Sequence, residues 1–337
     1  MGGLLLNKKY LAIVMIIIAM VSLLAVGGNQ NDSLAKAATE PPPPVASGAI
    51  CLNRGTVPDA ELHWLYIPES AAELATEENY LYLAGRLIES GVVDASDCPA
   101  GGMGAGGYAN ACGLAAAKPV VIELQNAYDE AILQAWQDVG VPPVLLKQLI
   151  RYESQFWPGQ WGTYHFGLSH LTYYGAYTAL YWSPVLFQRA CDPTYGGRCE
   201  AYFIDAMMIG SFLQNVNADC PTCPYKIDIA KAQKSINYIA HALLAYCRQT
   251  AQIVSNATGQ STPGAVVDYA TIWKLTLYNY NAGSICLYNA VRDAYESIEG
   301  QITWLDIAGY VGSGSCELGV GYVNKITEPY YAFPPGE

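Results

Sequence analysis

A glutamate at the end of an apolar helix is the residue of this sequence best placed to do chemistry. Pro142 and Pro143 suit the first turn of a helix, where a missing N–H group costs nothing. The apolar residues that follow recur at helical spacing, and Glu153 shares their face just before the Pro158-Gly159 break. Burial disfavours the charged form of a carboxyl group and raises its pKa, so Glu153 is a candidate general acid. The alternative is a glutamate that simply ends a helix at the surface, since perturbed carboxyl groups also occur for structural reasons.

Three later segments resemble motifs of a known family and occur in the family's order. They are Gly167-Leu168-Ser169-His170, Tyr280-Asn281-Ala282-Gly283 and Tyr322-Val323-Asn324-Lys325-Ile326. Together with Glu153-Ser154 they resemble the lysozyme-like soluble lytic transglycosylases (the SLT domain), over roughly 136 to 331. The chain departs from the family at Ser169-His170, which replace Met-Gln, and at Asn279, which replaces Ala. Residues 180–236 read as an insertion.

The resemblance implies a peptidoglycan lytic transglycosylase, which cleaves the β-1,4 bond between N-acetylmuramic acid and N-acetylglucosamine. Glu153 would protonate the glycosidic oxygen and then accept the proton of the muramic 6-hydroxyl, which attacks to form a 1,6-anhydro product. Tyr280 would hydrogen-bond Glu153, and the protonation of His170 would influence the pH dependence. No cofactor or metal is implied, and the partner would be the peptidoglycan glycan strand. The implied substrate-binding residues are Ser154, Gly167, Leu168, Ser169, His170, Tyr280 and Asn281.

Two other functions remain open at this point. The first is hydrolysis by a lysozyme or chitinase on the same scaffold, which needs a second carboxylate, and the insertion offers three: Asp192, Glu200 and Asp205. The second is a catalytically idle protein that binds the cell wall or another glycan at the surface. The replacement of Met-Gln by Ser169-His170 favours that reading, whereas the retention of Glu153 and Tyr280 argues against it.

The composition indicates an ordered globular protein and argues against nucleic acid as a partner. Of 337 residues, 52% are hydrophobic and 14% charged, which permits a sizeable core. The net charge of −12 with only 17 Lys and Arg provides no basic surface for phosphates. The chain has 26 Tyr against 6 Phe, and tyrosine suits partly solvated surfaces and sugar-binding clefts. A general bias in amino-acid composition would nevertheless account for most of these tyrosines. Trp157 and Trp161 could stack on sugars or cover the core.

The N-terminus predicts export. Lys8 and Lys9 precede the uncharged run 11–26, which is typical of a secretory signal or a membrane anchor. We therefore expect an extracellular, cell-envelope or periplasmic protein, which is anchored to the membrane by its N-terminus if the signal segment is not cleaved. The cysteine count of 10 is even, which in an exported chain indicates disulfides. Three pairs are placed for local bridges: Cys98 with Cys112, Cys191 with Cys199, and Cys220 with Cys223.

The helical periodicities predict a mainly α fold, and the resemblance specifies it as a goose-type or SLT lysozyme-like domain. We assign 1–37 to the signal peptide or anchor, 38–47 to a proline-rich linker and 48–118 to an N-terminal helical and loop extension. The lysozyme-like domain would span 119–331, with a disulfide-bonded insertion at about 183–235 and a tail at 332–337. We expect a helix near 76–90 in the extension. In the lysozyme-like domain we expect helices near 119–139, 142–154, 173–186 with an interruption at Pro184, 200–216, 228–255, 266–280, 284–299, 304–312 and 317–330.

Overall fold

The computed structural model describes residues 51–52, 62–200 and 203–328, and these are mainly helical. Within these ranges, β-type pairing of the backbone is confined to four isolated bridges. The expected signal or anchor, the proline-rich linker and the tail all lie outside the described residues. In the part of the chain that is described, no helix combines the length and the apolar character needed to cross a membrane.

The α-helices are numbered in chain order. They are α1 Leu81–Glu89, α2 Ala111–Asn126, α3 Asp129–Val139, α4 Pro143–Ser154, α5 Tyr173–Trp182, α6 Pro184–Tyr195, α7 Ala206–Val216, α8 Ile229–Thr258, α9 Tyr269–Ala282, α10 Ser284–Ser297, α11 Trp304–Ala308 and α12 Ser315–Thr327. Short 3₁₀ turns occur at His63–Leu65, Ala71–Leu74, Pro99–Gly102, Ala105–Gly107 and Pro263–Ala265.

The 30-residue helix α8 is the central helix of the fold. It packs against α3, α5, α7, α9 and α10, so most of the molecule is assembled around it. Its start is fixed as the sequence predicts, because the Asp228 carboxylate accepts the N–H of Lys231 at 2.9 Å. Its inward face carries fully buried residues at helical spacing, among them Ile236, Leu243 and Cys247.

Helix α4 carries Glu153 and is held in place by contacts on several sides. It packs against α3 and α12, and its apolar residues from Val144 to Ile150 are buried. The Lys147 ammonium lies 2.6 Å from the Asp129 carboxylate of α3 and 2.6 Å from the carbonyl of Leu74. One turn later the Arg151 guanidinium donates to the carbonyl of Lys325 in α12 at 2.9 Å. The end of α4 is therefore fixed relative to both neighbours.

All ten cysteines form disulfides, as their even number predicts. The three local pairs are confirmed, at Cys98–Cys112, Cys191–Cys199 and Cys220–Cys223. The remaining two bridges are long-range and join Cys51 to Cys247 and Cys286 to Cys316. The first links residues 51–52 to α8, and the second links α10 to the start of α12.

The prediction of one helix over 119–139 is wrong. The structure has α2 from Ala111, with the Asn110 side chain capping it by accepting the N–H of Gly113, and a break before α3 at Asp129. Pro119 therefore lies inside α2, where both it and Ala115 are exposed. The carbonyl that Pro119 leaves without an N–H partner can thus be solvated, which makes the proline tolerable. The boundary assigned between 118 and 119 falls within this helix.

Other helices begin or end at places that the periodicity does not reveal. Helix α1 starts at Leu81 rather than near Thr76, because the N–H groups of Thr76 and Glu78 are bound by the side-chain oxygens of Asn126 and Gln125, at 2.8 and 2.9 Å. The interruption predicted at Pro184 is confirmed, since α5 ends at Trp182 and α6 starts at Pro184. The helix expected from residue 200 begins at Ala206.

Candidate active site

Glu153 lies in the last turn of α4, where the backbone leaves the helix through two left-handed residues. Gln155 has φ 47° and Phe156 has φ 68°, so the chain turns sharply after the glutamate. The Glu153 side chain is 15% exposed. It is thus desolvated yet still reachable from one side, as an acid that contacts a ligand must be.

The environment of Glu153 favours its protonated form. Burial raises the pKa of the carboxyl group to about 7, and a hydrogen bond from Tyr322 acts in the opposite direction. The Tyr322 hydroxyl donates to Oε1 at 2.5 Å, and the Tyr322 ring is 4% exposed. Its ring packs edge-on against Tyr152 of α4, with the ring centroids 5.1 Å apart. Near neutral pH the carboxyl group can therefore exist in both protonation states, with its position held by Tyr322.

His170 lies on the other side of the carboxyl group. Its Nδ1 is 3.6 Å from Oε2 of Glu153, and its ring stacks on Trp161 with centroids 5.4 Å apart. The centroid of the His165 ring lies 5.7 Å from the centroid of the His170 ring. Burial first, and the proximity of His165 second, lower the pKa of His170 to about 4. The imidazole is therefore neutral near pH 7, and the expectation that its protonation would influence the neutral pH range is wrong.

A cavity of about 180 Å³ opens onto Glu153. Its lining residues come from α4, the loop before α5, α5 itself, α8 and α9: Glu153, His165, His170, Leu171, Thr172, Gly175, Tyr246, Tyr280 and Asn281. Among these described residues Glu153 is the single carboxylate. The wall is otherwise made of aromatic rings, amide and hydroxyl groups, which suits a neutral, hydroxyl-rich ligand.

Four of the seven expected substrate-binding residues support the wall rather than line the cavity. Ser154 is fully buried, and its hydroxyl donates to the carbonyl of Leu168 at 2.7 Å. Leu168 and Ser169 are buried as well. Gly167 has φ 69°, and a Cβ there would lie 2.2 Å from the carbonyl oxygen of Val216. Gly167 therefore permits a close approach of α7, and it is buried away from the residues that line the cavity.

Tyr280 reaches the cavity but does not make the expected bond to Glu153. Its hydroxyl donates to the carbonyl of Ser169 at 2.8 Å, and its ring packs against Tyr246 with centroids 4.8 Å apart. Tyr322 donates to Glu153 in its place. Asn281, next along α9, is exposed at the rim of the cavity.

The sequence signals missed several residues of the site. Tyr322 enters the sequence patterns only as the first residue of the last family-like motif, and the patterns give His165, Thr172 and Tyr246 no role at the site. Of the two tryptophans, Trp157 is 2% exposed and belongs to the core, whereas Trp161 is 47% exposed beside His170. A residue's proximity to Glu153 depends on packing between distant helices, and no local pattern encodes it.

The carboxylates of the insertion lie elsewhere. Asp205 caps α7 and accepts the Tyr195 hydroxyl, Asp192 accepts the Gln188 amide, and Glu200 is exposed. None of the three lines the Glu153 cavity. Within the described ranges, no group of three or more His, Cys, Asp or Glu is arranged to hold a metal ion.

Comparison of the chain with protein-family models, with curated proteins and with solved structures gives no match. The function of the site thus has to be inferred from the geometry around Glu153.

Proposed function

We propose that the protein is a peptidoglycan lytic transglycosylase on a lysozyme-like scaffold, with Glu153 as its general acid and base. The observation that carries the proposal is a carboxyl group with a pKa of about 7 at a cavity lined by hydroxyl, amide and aromatic groups, with no second carboxylate among the described lining residues. One carboxyl group suffices when the substrate's own N-acetyl group assists at the anomeric carbon, as it does in substrate-assisted glycosidases.

The two oxygens of Glu153 have different surroundings, which suits the two proton transfers. Oε1 accepts the Tyr322 hydroxyl, so Oε2 is left to carry the transferable proton. In the first step Oε2 protonates the glycosidic oxygen, the bond from that oxygen to C1 of the muramic residue breaks, and the N-acetyl oxygen stabilises C1. The resulting carboxylate keeps the Tyr322 hydrogen bond, which is stronger to a charged acceptor.

In the second step the same carboxylate accepts the proton of the muramic 6-hydroxyl while the oxygen of that hydroxyl bonds to C1 and displaces the N-acetyl oxygen, which returns to the amide. The product carries a 1,6-anhydro ring, Glu153 is protonated again, and no water is consumed. A pKa near the working pH suits a group that must donate and then accept within one turnover. His170 is neutral, and its Nδ1 lies 3.6 Å from Oε2, so the imidazole does not hold the carboxyl group in its charged form.

Hydrolysis finds less support in the geometry of the site. A two-carboxylate hydrolase needs a base or nucleophile about 5 to 10 Å from the acid. The insertion's candidates serve other contacts, as when Asp205 caps α7. We further propose that the protein acts outside the cytoplasm, since its five disulfides suit an oxidising compartment.

The test incubates purified peptidoglycan sacculi with the wild-type protein and with Glu153→Gln, and mass spectrometry identifies the released muropeptides. Glu123→Gln is the matched control, because Glu123 also accepts a tyrosine hydroxyl, that of Tyr225 at 2.7 Å, but lies outside the cavity. We expect products one water lighter than hydrolytic ones from the wild type and the control, and none from Glu153→Gln.

Other outcomes of this experiment distinguish the alternatives. Full-mass reducing products would overturn the transglycosylase assignment in favour of hydrolysis. Binding of sacculi without release of muropeptides by any of the proteins would indicate a glycan-binding protein. Equal release by wild type and Glu153→Gln would remove Glu153 from the chemistry.

A further inference from the structure

Helix α5 exposes a row of tyrosines that the proposed chemistry does not use. Tyr173, Tyr174, Tyr177 and Tyr181 are 45%, 83%, 43% and 43% exposed. At about 100° per residue, the four positions fall within an arc of about 100° on one side of the helix. The outer face of a helix in a soluble domain is normally charged or polar, yet α5 contains no charged residue at all. We call these four side chains the tyrosine strip.

The tyrosine strip begins at the Glu153 cavity. Thr172, which caps α5 by accepting the N–H of Gly175 at 3.1 Å, lines that cavity together with Gly175. From Tyr173 to Tyr181 the helix rises about 12 Å, at about 1.5 Å per residue. At its far end Tyr181 joins the lining of a second cavity of about 540 Å³. A ligand leaving the first cavity along α5 would therefore cross successive tyrosine rings.

The rings of the tyrosine strip are arranged as a surface rather than as isolated side chains. Tyr177 and Tyr181 are nearly parallel, with an interplanar angle of 19° and centroids 6.2 Å apart. Tyr173 and Tyr174 meet edge to face, and Tyr181 meets Trp182 in the same way. Tyrosine supplies a large contact area at a low entropy cost, with a hydroxyl that stays hydrogen-bonded to water or to a ligand.

We propose that the tyrosine strip binds an extended, uncharged polysaccharide, namely the glycan strand that continues from the Glu153 cavity. The apolar C–H faces of pyranose rings match the exposed tyrosine rings, and their hydroxyl and N-acetyl groups match the phenol oxygens. A polyanion would find no cation on this helix, and the net charge of −12 would repel it. The identity of the strand as peptidoglycan rests on the proposed function.

The test measures binding in a background that cannot turn over the substrate. Full-length Glu153→Gln protein is compared with the same protein carrying Tyr174→Ala, Tyr177→Ala and Tyr181→Ala. A matched control carries Tyr108→Ala, Tyr288→Ala and Tyr310→Ala, three tyrosines on other elements that are 45%, 37% and 40% exposed. A third protein carries Phe in place of Ala at the three strip positions and so keeps the rings. Sedimentation with intact sacculi gives each dissociation constant, and circular dichroism checks folding.

We expect the strip Ala variant to bind sacculi at least about tenfold more weakly than the parent, a difference of about 1.4 kcal/mol. The control and the Phe variant should stay within about twofold of the parent. Equal binding by the strip and control variants would overturn the proposal, as would a parent that does not bind sacculi. The same sedimentation with neutral phosphatidylcholine vesicles tests a lipid ligand. If the parent binds these vesicles and the strip Ala variant does not, while both bind sacculi equally, the strip would be assigned to a lipid surface instead. Because cleavage is not measured here, failure of the strip and failure of the proposed chemistry remain distinguishable.

Discussion

The hydroxyl of Tyr322 and the carboxyl group of Glu153 are 2.5 Å apart although 169 residues separate them in the chain. Glu153 ends α4 and Tyr322 belongs to α12, and the bond between Arg151 and the Lys325 carbonyl joins the same two helices. The donor is therefore fixed by a packed interface. This pair determines how the acid is oriented and how readily it ionises.

We expect the burial of Glu153 to lower the free energy of unfolding at high pH. Its pKa is about 7 in the folded state against 4.5 ordinarily, so the folded state binds more protons than the unfolded state between these values. The free energy of unfolding therefore falls as pH rises from about 4.5 to about 7 and is level above that, with a total loss of about 3 kcal/mol. Glu153→Gln, which resembles the protonated form, should be more stable than wild type at about pH 8 and equal to it at about pH 4.

Denaturant unfolding at these two pH values measures the difference directly, with Glu123→Gln as the control. A Glu153→Gln variant that is no more stable than wild type at the higher pH would show that the carboxyl group is not desolvated as described.

Tyr322→Phe should raise the pKa of Glu153 and slow the reaction. The hydroxyl holds down the pKa of the carboxyl group, so its removal moves the basic limb of the pH–rate profile to higher pH. The carboxylate formed in the first proton transfer also loses its donor, which we expect to lower kcat about 10- to 100-fold. Tyr225→Phe removes the equivalent bond to Glu123 and should leave both quantities unchanged. A limb that stays in place in Tyr322→Phe would contradict the role given to this hydroxyl.

His170→Gln should leave the basic limb of the same profile where it is. The pKa of His170 is about 4, so the imidazole is uncharged across the range in which Glu153 ionises. The substitution removes the stack on Trp161, and we expect its effect in KM rather than in the pH profile. A shift of the limb by one pH unit or more in His170→Gln would instead assign the ionisation to the imidazole.

Gly167→Ala should destabilise the protein more than Gly162→Ala. Both glycines have positive φ, 69° and 59°, so both variants incur the left-handed strain of about 1 to 2 kcal/mol. Only at Gly167 does the new Cβ collide with a backbone atom, the carbonyl oxygen of Val216. We expect a further loss of about 1 to 3 kcal/mol in the free energy of unfolding, measured by urea denaturation. Equal losses in the two variants would show that α7 does not approach Gly167 this closely.

The elements that local patterns encode could be predicted from the sequence. The proline start of α4, the Asp228 cap of α8 and the three local disulfides all depend on residues close together in the chain, and the structure confirms each. The mainly helical class follows from the same periodicity.

Features that depend on contacts between distant segments could not be predicted. The late start of α1 depends on amide side chains of α2, about fifty residues away. The resemblance assigns Tyr280 as the partner of Glu153, but in the structure Tyr280 donates to the Ser169 carbonyl and Tyr322 donates to Glu153, because packing between distant helices decides which hydroxyl reaches the carboxyl group. No local sequence pattern reveals the burial that lowers the pKa of His170.

The distance in sequence between Glu153 and Tyr322 also sets an order of events during synthesis. Translation proceeds from the N-terminus, so α4 exists as a helix-forming segment long before the ribosome has added α12. Until residue 322 has emerged, the buried carboxyl group has no donor to orient it. A polypeptide released before α12 is synthesised would contain Glu153 and the residues that line its cavity, yet it would lack the Tyr322 hydroxyl that orients the acid.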